Sequence, residues 1–357
     1  MLKVWTDKKD FENIEWSYLE YFYYYFGVQC KDSISFFAKE RIKISNIKYF
    51  ELVEDIKECD IIIPLHLTMV LYKKYNEKYK EYINLSKEYN KPILLNLSGD
   101  YPLEISFKNS IIIKNSLYLY ELKNNEVAVP PTIEDIGKNH IKIKHKGDKA
   151  NVSFVGFAEY PNNLTKLKTM CNILVLIIKS LVNKRITSKI RGLHYRIKII
   201  NLLKKSKSID KNFVIRNHFS GSKKTVLEFN KQRIEYINNL ASSDYVLCIK
   251  GDGNYSLRFY ETLSMGKIPI LVNTEKVLPL MDKIDYAKFC LIIDYKDIKN
   301  INEIITSFHN NITNEDFIEM QRLSREFFEK YLQVHMYYQI FFNEVLPKKI
   351  KDLGLKE

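Results

Sequence analysis

Residues 244–280 read DYVLCIKGDGNYSLRFYETLSMGKIPILVNTEKVLPL, and their pattern decides the fold. Tyr245 to Ile249 is an apolar run of strand length, and Lys250 to Tyr255 is a loop holding Gly251 and Gly253. Ser256 to Met265 has helical spacing, Gly266 follows as a C-cap, and Ile268 to Val272 is a second strand. Strand, helix and strand in so short a stretch make a βαβ unit, which requires a parallel sheet. The strand-to-helix loop of such a unit lies at the carboxyl edge of the sheet, where ligands of open α/β folds bind. Gly251 and Gly253 allow close backbone approach, Ser256 suits the N-cap, and the helix start offers N–H groups and a positive dipole end. An anion fits there. The loop is neither a dinucleotide fingerprint, since Ser256 stands where the third glycine would be, nor a P-loop.

Working outward, 357 residues suggest two domains. Short strand-like runs alternate with helical ones over Leu2–Trp5, Ile14–Tyr25, Cys59–Pro64, Thr68–Tyr89, Lys91–Asn96, Ser110–Ile113 and Val127–Val129. Pro130-Pro131 stops the pattern, and the polar, basic stretch from Ile136 to Lys149 reads as a linker. A second unit opens with the strand Val152–Phe157 and a long basic helical region from Leu164 to Lys205, whose apolar residues are expected to bury one face. Strands at Phe213–Arg216 and Tyr245–Ile249 flank a helix at Gln232–Ala241, and helices at Ile298–His309 and Asn314–Leu346 close the chain. The expected division is 1–140 for an N-terminal unit, 150–330 for a C-terminal one, and 331–357 for a helix packing back.

Arg258 and Glu261 lie three apart, on one helical face just behind the glycine loop. A guanidinium there can hold phosphate oxygens in two-pronged fashion, and the carboxylate can accept hydrogen bonds from ribose hydroxyls. The competing reading is a simple surface ion pair worth ~0.3–0.5 kcal/mol.

The same stretch resembles the C-terminal half of the exostosin family, glycosyltransferase family 47. Leu247, Cys248 and Gly251 match its strand and loop, Ser256, Arg258 and Glu261 its S-x-R-x-x-E, and Gly266, Ile268, Pro269 and Ile270 the following G-x-[IV]-P-[IV]. Leu278-Pro279 matches a later Leu-Pro, with weaker likeness at Val127–Pro131, Val152–Phe157 and Phe308-His309. The resemblance implies a GT-B architecture: two Rossmann-like domains facing across a cleft, the C-terminal one for a nucleotide-sugar donor, expected to be UDP-linked, the N-terminal one for a glycan or lipid-linked glycan acceptor. It implies Arg258 on the diphosphate, Glu261 on the ribose, and a phosphate loop of Gly251, Gly253, Asn254 and Ser256. Lys250, Arg216 and Thr274 join that group by position alone, outside the motif. Inversion at the anomeric carbon is implied, and no D-x-D occurs in the chain, so no metal and no other cofactor is expected.

Inversion needs a base on the acceptor hydroxyl. Asp100, after the strand Lys91–Asn96, is the candidate, with His66 as competitor; Asp60 reads as structural, Asp135 as a helix cap, and His218 and His309 as satisfied polar residues. Fifty-six basic against 43 acidic residues leave +13, which attracts phosphates of nucleotides, nucleic acid or an anionic membrane surface. The aromatic run Trp16–Phe26 looks like a packed helix rather than a stacking platform, which argues against nucleic acid. A catalytically inactive partner protein is the other alternative, since no motif fixes the base. Five cysteines are scattered singly, and the opening residues lack a signal-peptide core, so a cytoplasmic chain, peripheral at the inner membrane face, is expected.

Overall fold

Strand after strand pairs in parallel. The computed structural model describes residues 1–13, 19–27, 47–100, 103–105, 107–216 and 226–354. They form two compact units: residues 1–117, 121–134 and 330–357 in one, 118–120 and 135–329 in the other.

In the first unit β1 (Lys3–Trp5), β2 (Glu51–Leu52), β3 (Ile61–Ile62), β4 (Ile93–Asn96), β5 (Ser110–Lys114) and β6 (Glu126–Ala128) lie in the order β2-β1-β3-β4-β5-β6. Every residue of β4 and β5 is buried, as expected of parallel strands covered on both faces. Ile62, Ile93, Leu95 and Ile112 pack with Leu71 and Tyr82 from the helices Thr68–Lys74 and Asn76–Glu88. The sequence reads those helices as one; the structure parts them at Tyr75. The helices Val334–Ile340 and Leu346–Asp352 belong to this unit, with Tyr337 donating to the Ala128 carbonyl at 3.0 Å. Tyr21 of the aromatic run is buried edge-on against Tyr338 and Phe342 at centroid separations of 5.2 and 5.3 Å, while residues 16–18 of that run lie outside the described residues.

In the second unit β7 (Ala150–Phe157), β8 (Ile209–Arg216), β9 (Tyr245–Cys248), β10 (Ile268–Asn273) and β11 (Leu291–Asp294) lie in the order β11-β10-β9-β7-β8. After β7 the chain builds outward to β8, then returns to the other side of β7 for β9. The order therefore reverses between β7 and β9, and a crevice opens outside the carboxyl ends of strands at such a reversal. Ile268, Ile270 and Val272 alternate along β10 and enter a core with Phe154, Leu247, Ile199 and Phe317.

The Leu164–Lys205 region is three pieces: a helix Asn163–Lys179, a 3-10 turn Lys184–Lys189 and a helix Gly192–Lys204. Its first piece leaves most of its apolar side chains exposed, against the expectation of a buried face. Residues read as a linker are bound into the second unit: Lys144 exchanges backbone hydrogen bonds with the Gln321 side chain at 3.0 and 2.8 Å, and Lys146 Nζ reaches the His309 and Ile312 carbonyls. The helix Leu257–Ser264 ends where Gly266 takes φ of 59°, a conformation that favours glycine. No described helix is long and apolar enough to cross a membrane.

Candidate functional site

The carboxyl ends of β7, β9 and β10 gather positive charge. Lys250, two residues past β9, is 1% exposed; its Nζ donates to the Ser188 carbonyl at 2.7 Å and the Tyr118 hydroxyl at 3.1 Å. The rings of Tyr118 and Tyr195 lie 5.3 and 5.9 Å from it. No carboxylate takes part in these bonds. Burial, with Lys276 and then Lys189 adding like charge and Asp252 acting in the opposite sense, lowers the Lys250 pKa to about 7.

Lys276 went unremarked in the sequence. It follows β10, pairs through its backbone with Tyr118 in an antiparallel bridge, and buries an Nζ that has no hydrogen-bond partner among the described residues. Burial lowers its pKa to about 8. Lys276 also walls a cavity of about 450 Å³, shared with Asn273, Leu278, Met281 and Tyr286.

Arg258 stacks on Phe154, 4.4 Å from the ring centroid, and donates through Nη2 to the Val155 carbonyl of β7. Its Nε is buried and without a partner among the described residues. Gly156, at φ 146°, gives the guanidinium room, because a Cβ there would stand 3.0 Å from Nη2. The thiol of Cys248, pushed up to about 11 by burial, is influenced in the opposite sense by Arg258 and Lys276, so both cations lie near the end of β9.

Glu261 turns elsewhere: Arg233 Nη1 donates to one carboxylate oxygen at 2.8 Å and the Tyr236 hydroxyl to the other. Each oxygen keeps lone-pair capacity for a further donor. The loop between these residues is held by its own bonds. Gly251 N–H reaches the Tyr255 carbonyl, Gly192 N–H reaches the Gly251 carbonyl, and Arg191 grips Asp252 at 2.9–3.1 Å.

Asn254 and Thr274 bind each other, at 2.6 Å between side chains and 3.2 Å from the Asn254 amide to the Thr274 carbonyl, tying the loop to the end of β10. Gly253 is buried beside them. Ser256 holds the N-cap position with extended backbone but makes no side-chain cap bond. Arg216 commits its guanidinium to Glu235 and Gln232 of the helix Val226–Ser242.

Residues 175–308, which contain every one of these charged groups, match the Exostosin GT47 domain. Over that stretch the chain is similar to the exostosin glycosyltransferases. Its curated relatives include a probable glycosyltransferase of Arabidopsis thaliana, 30% identical over 24% of this chain and 16% of that protein. The Exostosin-1 homolog of Caenorhabditis elegans is 28% identical over 28% of this chain and 25% of that protein. The matches thus span a quarter or less of these relatives' lengths. Among solved structures, a glycosyltransferase from Rickettsia africae is similar over 100% of this chain and 99% of that one, with a TM-score of 0.39 and 11% identity.

Outside the matched residues, Asp100 sits exposed in a bend after β4, beyond the carboxyl end of that strand. His66 is fully buried, its Nε2 3.1 Å from the Asp10 carbonyl, and burial lowers its pKa to about 4. Asp60 accepts from the Lys3 backbone at 2.7 Å, a structural bond. Asp135 caps no helix; it pairs both oxygens with Arg325. His309 is satisfied by Tyr245 and the Gly147 carbonyl, and His218 lies outside the described residues. Among the described residues no three His, Cys, Asp or Glu side chains cluster as a bound metal would require.

Proposed function

We propose that this protein is an inverting, metal-independent glycosyltransferase that moves a sugar from a nucleoside diphosphate, most simply UDP, to a glycan or lipid-linked glycan acceptor. One observation carries the reading: the buried ammonium groups of Lys276 and Lys250 and the half-buried guanidinium of Arg258, none with an anionic partner among the described residues, at the switch point of a stretch that matches the Exostosin GT47 domain. An unpaired buried charge is costly, so a group that supplies the missing negative charge belongs there. A diphosphate is that group. It would meet Arg258, Lys250, Lys276 and the uncapped start of the helix Leu257–Ser264, whose dipole adds to their field.

In the proposed reaction the acceptor hydroxyl oxygen attacks the anomeric carbon from the face opposite the diphosphate. A carbon–oxygen bond forms as the sugar–phosphate bond breaks, and the hydroxyl proton passes to a base, for which Asp100 remains the candidate. Negative charge grows on the departing diphosphate, where fixed positive groups are most effective because they need no reorganisation. Glu261, oriented by Arg233 and Tyr236, would present its remaining lone pairs to the ribose. Asn254 and Thr274 then serve by fixing the loop rather than by touching the donor.

A thermal-shift screen of UDP-, GDP-, ADP- and CMP-linked sugars tests the reading. Ligand at ~100 times its dissociation constant adds about 2.7 kcal/mol of apparent stability. Indifference to all four, with no nucleotide released in the presence of glycan acceptors, would remove the proposal.

A further inference from the structure

The helix Asn163–Lys179 has its faces reversed relative to a core helix. Thr165, Thr169, Ile173, Leu176 and Ser180, spaced by three and four, form the sheltered side, on which Thr169 and Leu176 are buried. On the other side Leu164, Leu167, Met170, Leu174, Ile177 and Ile178 are exposed. The following turn adds Leu181 and Val182, at 86% and 96% exposure. With 3.6 residues per turn these exposed apolar positions cover an arc of about 140°, opposite the sheltered one. A continuous arc of that kind marks an interaction surface, unlike single exposed leucines.

Charge identifies the occupant. Lys166 borders the arc on one side, and Lys168 and Lys179 border it on the other. Residues 160–209 contain twelve Lys or Arg and no Asp or Glu, so nearly the whole net charge of +13 resides in this stretch. A second copy of the chain docked here would bring lysines against lysines with no acid in the stretch to offset them. An anionic lipid surface meets both features. Apolar side chains enter the acyl boundary while lysine stems reach back to the headgroups.

We infer that Asn163–Val182 docks the protein on an anionic phospholipid bilayer, the helix lying in the plane of the interface. This surface is separate from the cationic site at β9, and the inference stands whether or not sugar transfer is found.

The test uses the full chain with vesicles of phosphatidylglycerol and phosphatidylcholine, and with phosphatidylcholine alone, read by flotation. Association with the anionic vesicles is expected to exceed that with neutral ones by about tenfold or more, and to fall as salt shortens the screening length from ~10 Å at 0.1 M to ~3 Å at 1 M. Leu174→Asp with Ile178→Asp, both exposed and so without a core to disturb, should leave the melting profile unchanged and abolish flotation. Leu181→Trp should shift its emission to the blue on adding anionic vesicles. Three outcomes would overturn the inference: no flotation of the wild-type chain, equal flotation of the double variant, or a solution dimer that the double variant converts to monomer without any vesicle association.

Discussion

Arg258 and Glu261, three residues apart on one helix, turn their charges away from each other. The guanidinium crosses to the Val155 carbonyl of β7, and the carboxylate reaches Arg233 and Tyr236. A simple helix ion pair is thereby excluded, and the two groups are held by different elements, β7 for Arg258 and the helix Val226–Ser242 for Glu261. The geometry suits a ligand with two chemically distinct halves.

Arg258→Ala is expected to slow transfer by roughly 10²–10³, the scale for losing one electrostatic stabiliser of a leaving group. Arg258→Lys should recover only part, because an ammonium cannot both stack on Phe154 and bond the Val155 carbonyl in the same planar way. Steady-state rates of nucleotide release measure both. An Arg258→Ala enzyme with normal turnover would sink the assignment.

Glu261→Gln should weaken donor binding by about 1.5–3 kcal/mol, the range for hydrogen bonds to charged groups. The same change replaces the carboxylate facing Arg233 by a neutral amide, so a loss of folding stability accompanies it. Arg233→Met shares that stability loss while leaving the Glu261 carboxylate in place. Calorimetric titration of both variants with the nucleotide separates the ribose contact from the packing effect: affinity falls more for Glu261→Gln.

Much of this was legible in residues 244–280, because a βαβ unit is a local object: strand, glycine loop, helix and strand follow one another within reach of a sequence window. The switch point could not be read there, since it depends on β7 and β8 and on which side of β7 the chain returns. Lys276 escaped notice for a related reason. In the polar string Asn273–Lys276 a lysine reads as solvated, whereas in the fold it is buried and its backbone pairs with Tyr118 from far upstream. The two-residue strand β2 is too short to show a period. The helix Asn163–Lys179 misled differently, because apolar spacing reports an amphipathic face but not what covers it.

Lys276→Met tests the buried charge directly. Removing an unpaired ammonium from the interior and substituting an apolar chain of similar length should raise the melting temperature of the free protein, by the equivalent of about 1–4 kcal/mol. Nucleotide affinity should fall in the same variant. Opposite signs in thermal melts and ligand titrations are the signature of a charge kept for a ligand; a variant less stable and equally able to bind would refute it.

The lowered lysine pKa values fix a pH dependence. Lys250 titrates near 7 when folded against about 10.4 unfolded, so between those values the unfolded chain holds more protons and stability rises with pH. Lys276, near 8, contributes in the same direction. A bound diphosphate restores the charge on both lysines, so binding at pH 8 takes up protons and affinity declines as pH climbs further. Titration calorimetry in two buffers of different ionisation enthalpy measures the uptake, and Lys250→Met should diminish it.

The charge on the departing diphosphate decides the last expectation. Divalent ions serve sugar transfer by neutralising that charge, and here Arg258, Lys250, Lys276 and the start of the helix Leu257–Ser264 already direct positive charge at one place. With the diphosphate bound and both lysines recharged, adding a further cation would be opposed by repulsion in a partly buried setting, where unit charges interact more strongly than in water. Activity is therefore expected to survive EDTA unchanged and to gain nothing from added magnesium or manganese. Rates measured in EDTA, then with each ion restored, check this; strict dependence on a divalent ion would mean that the buried lysines do not face the diphosphate.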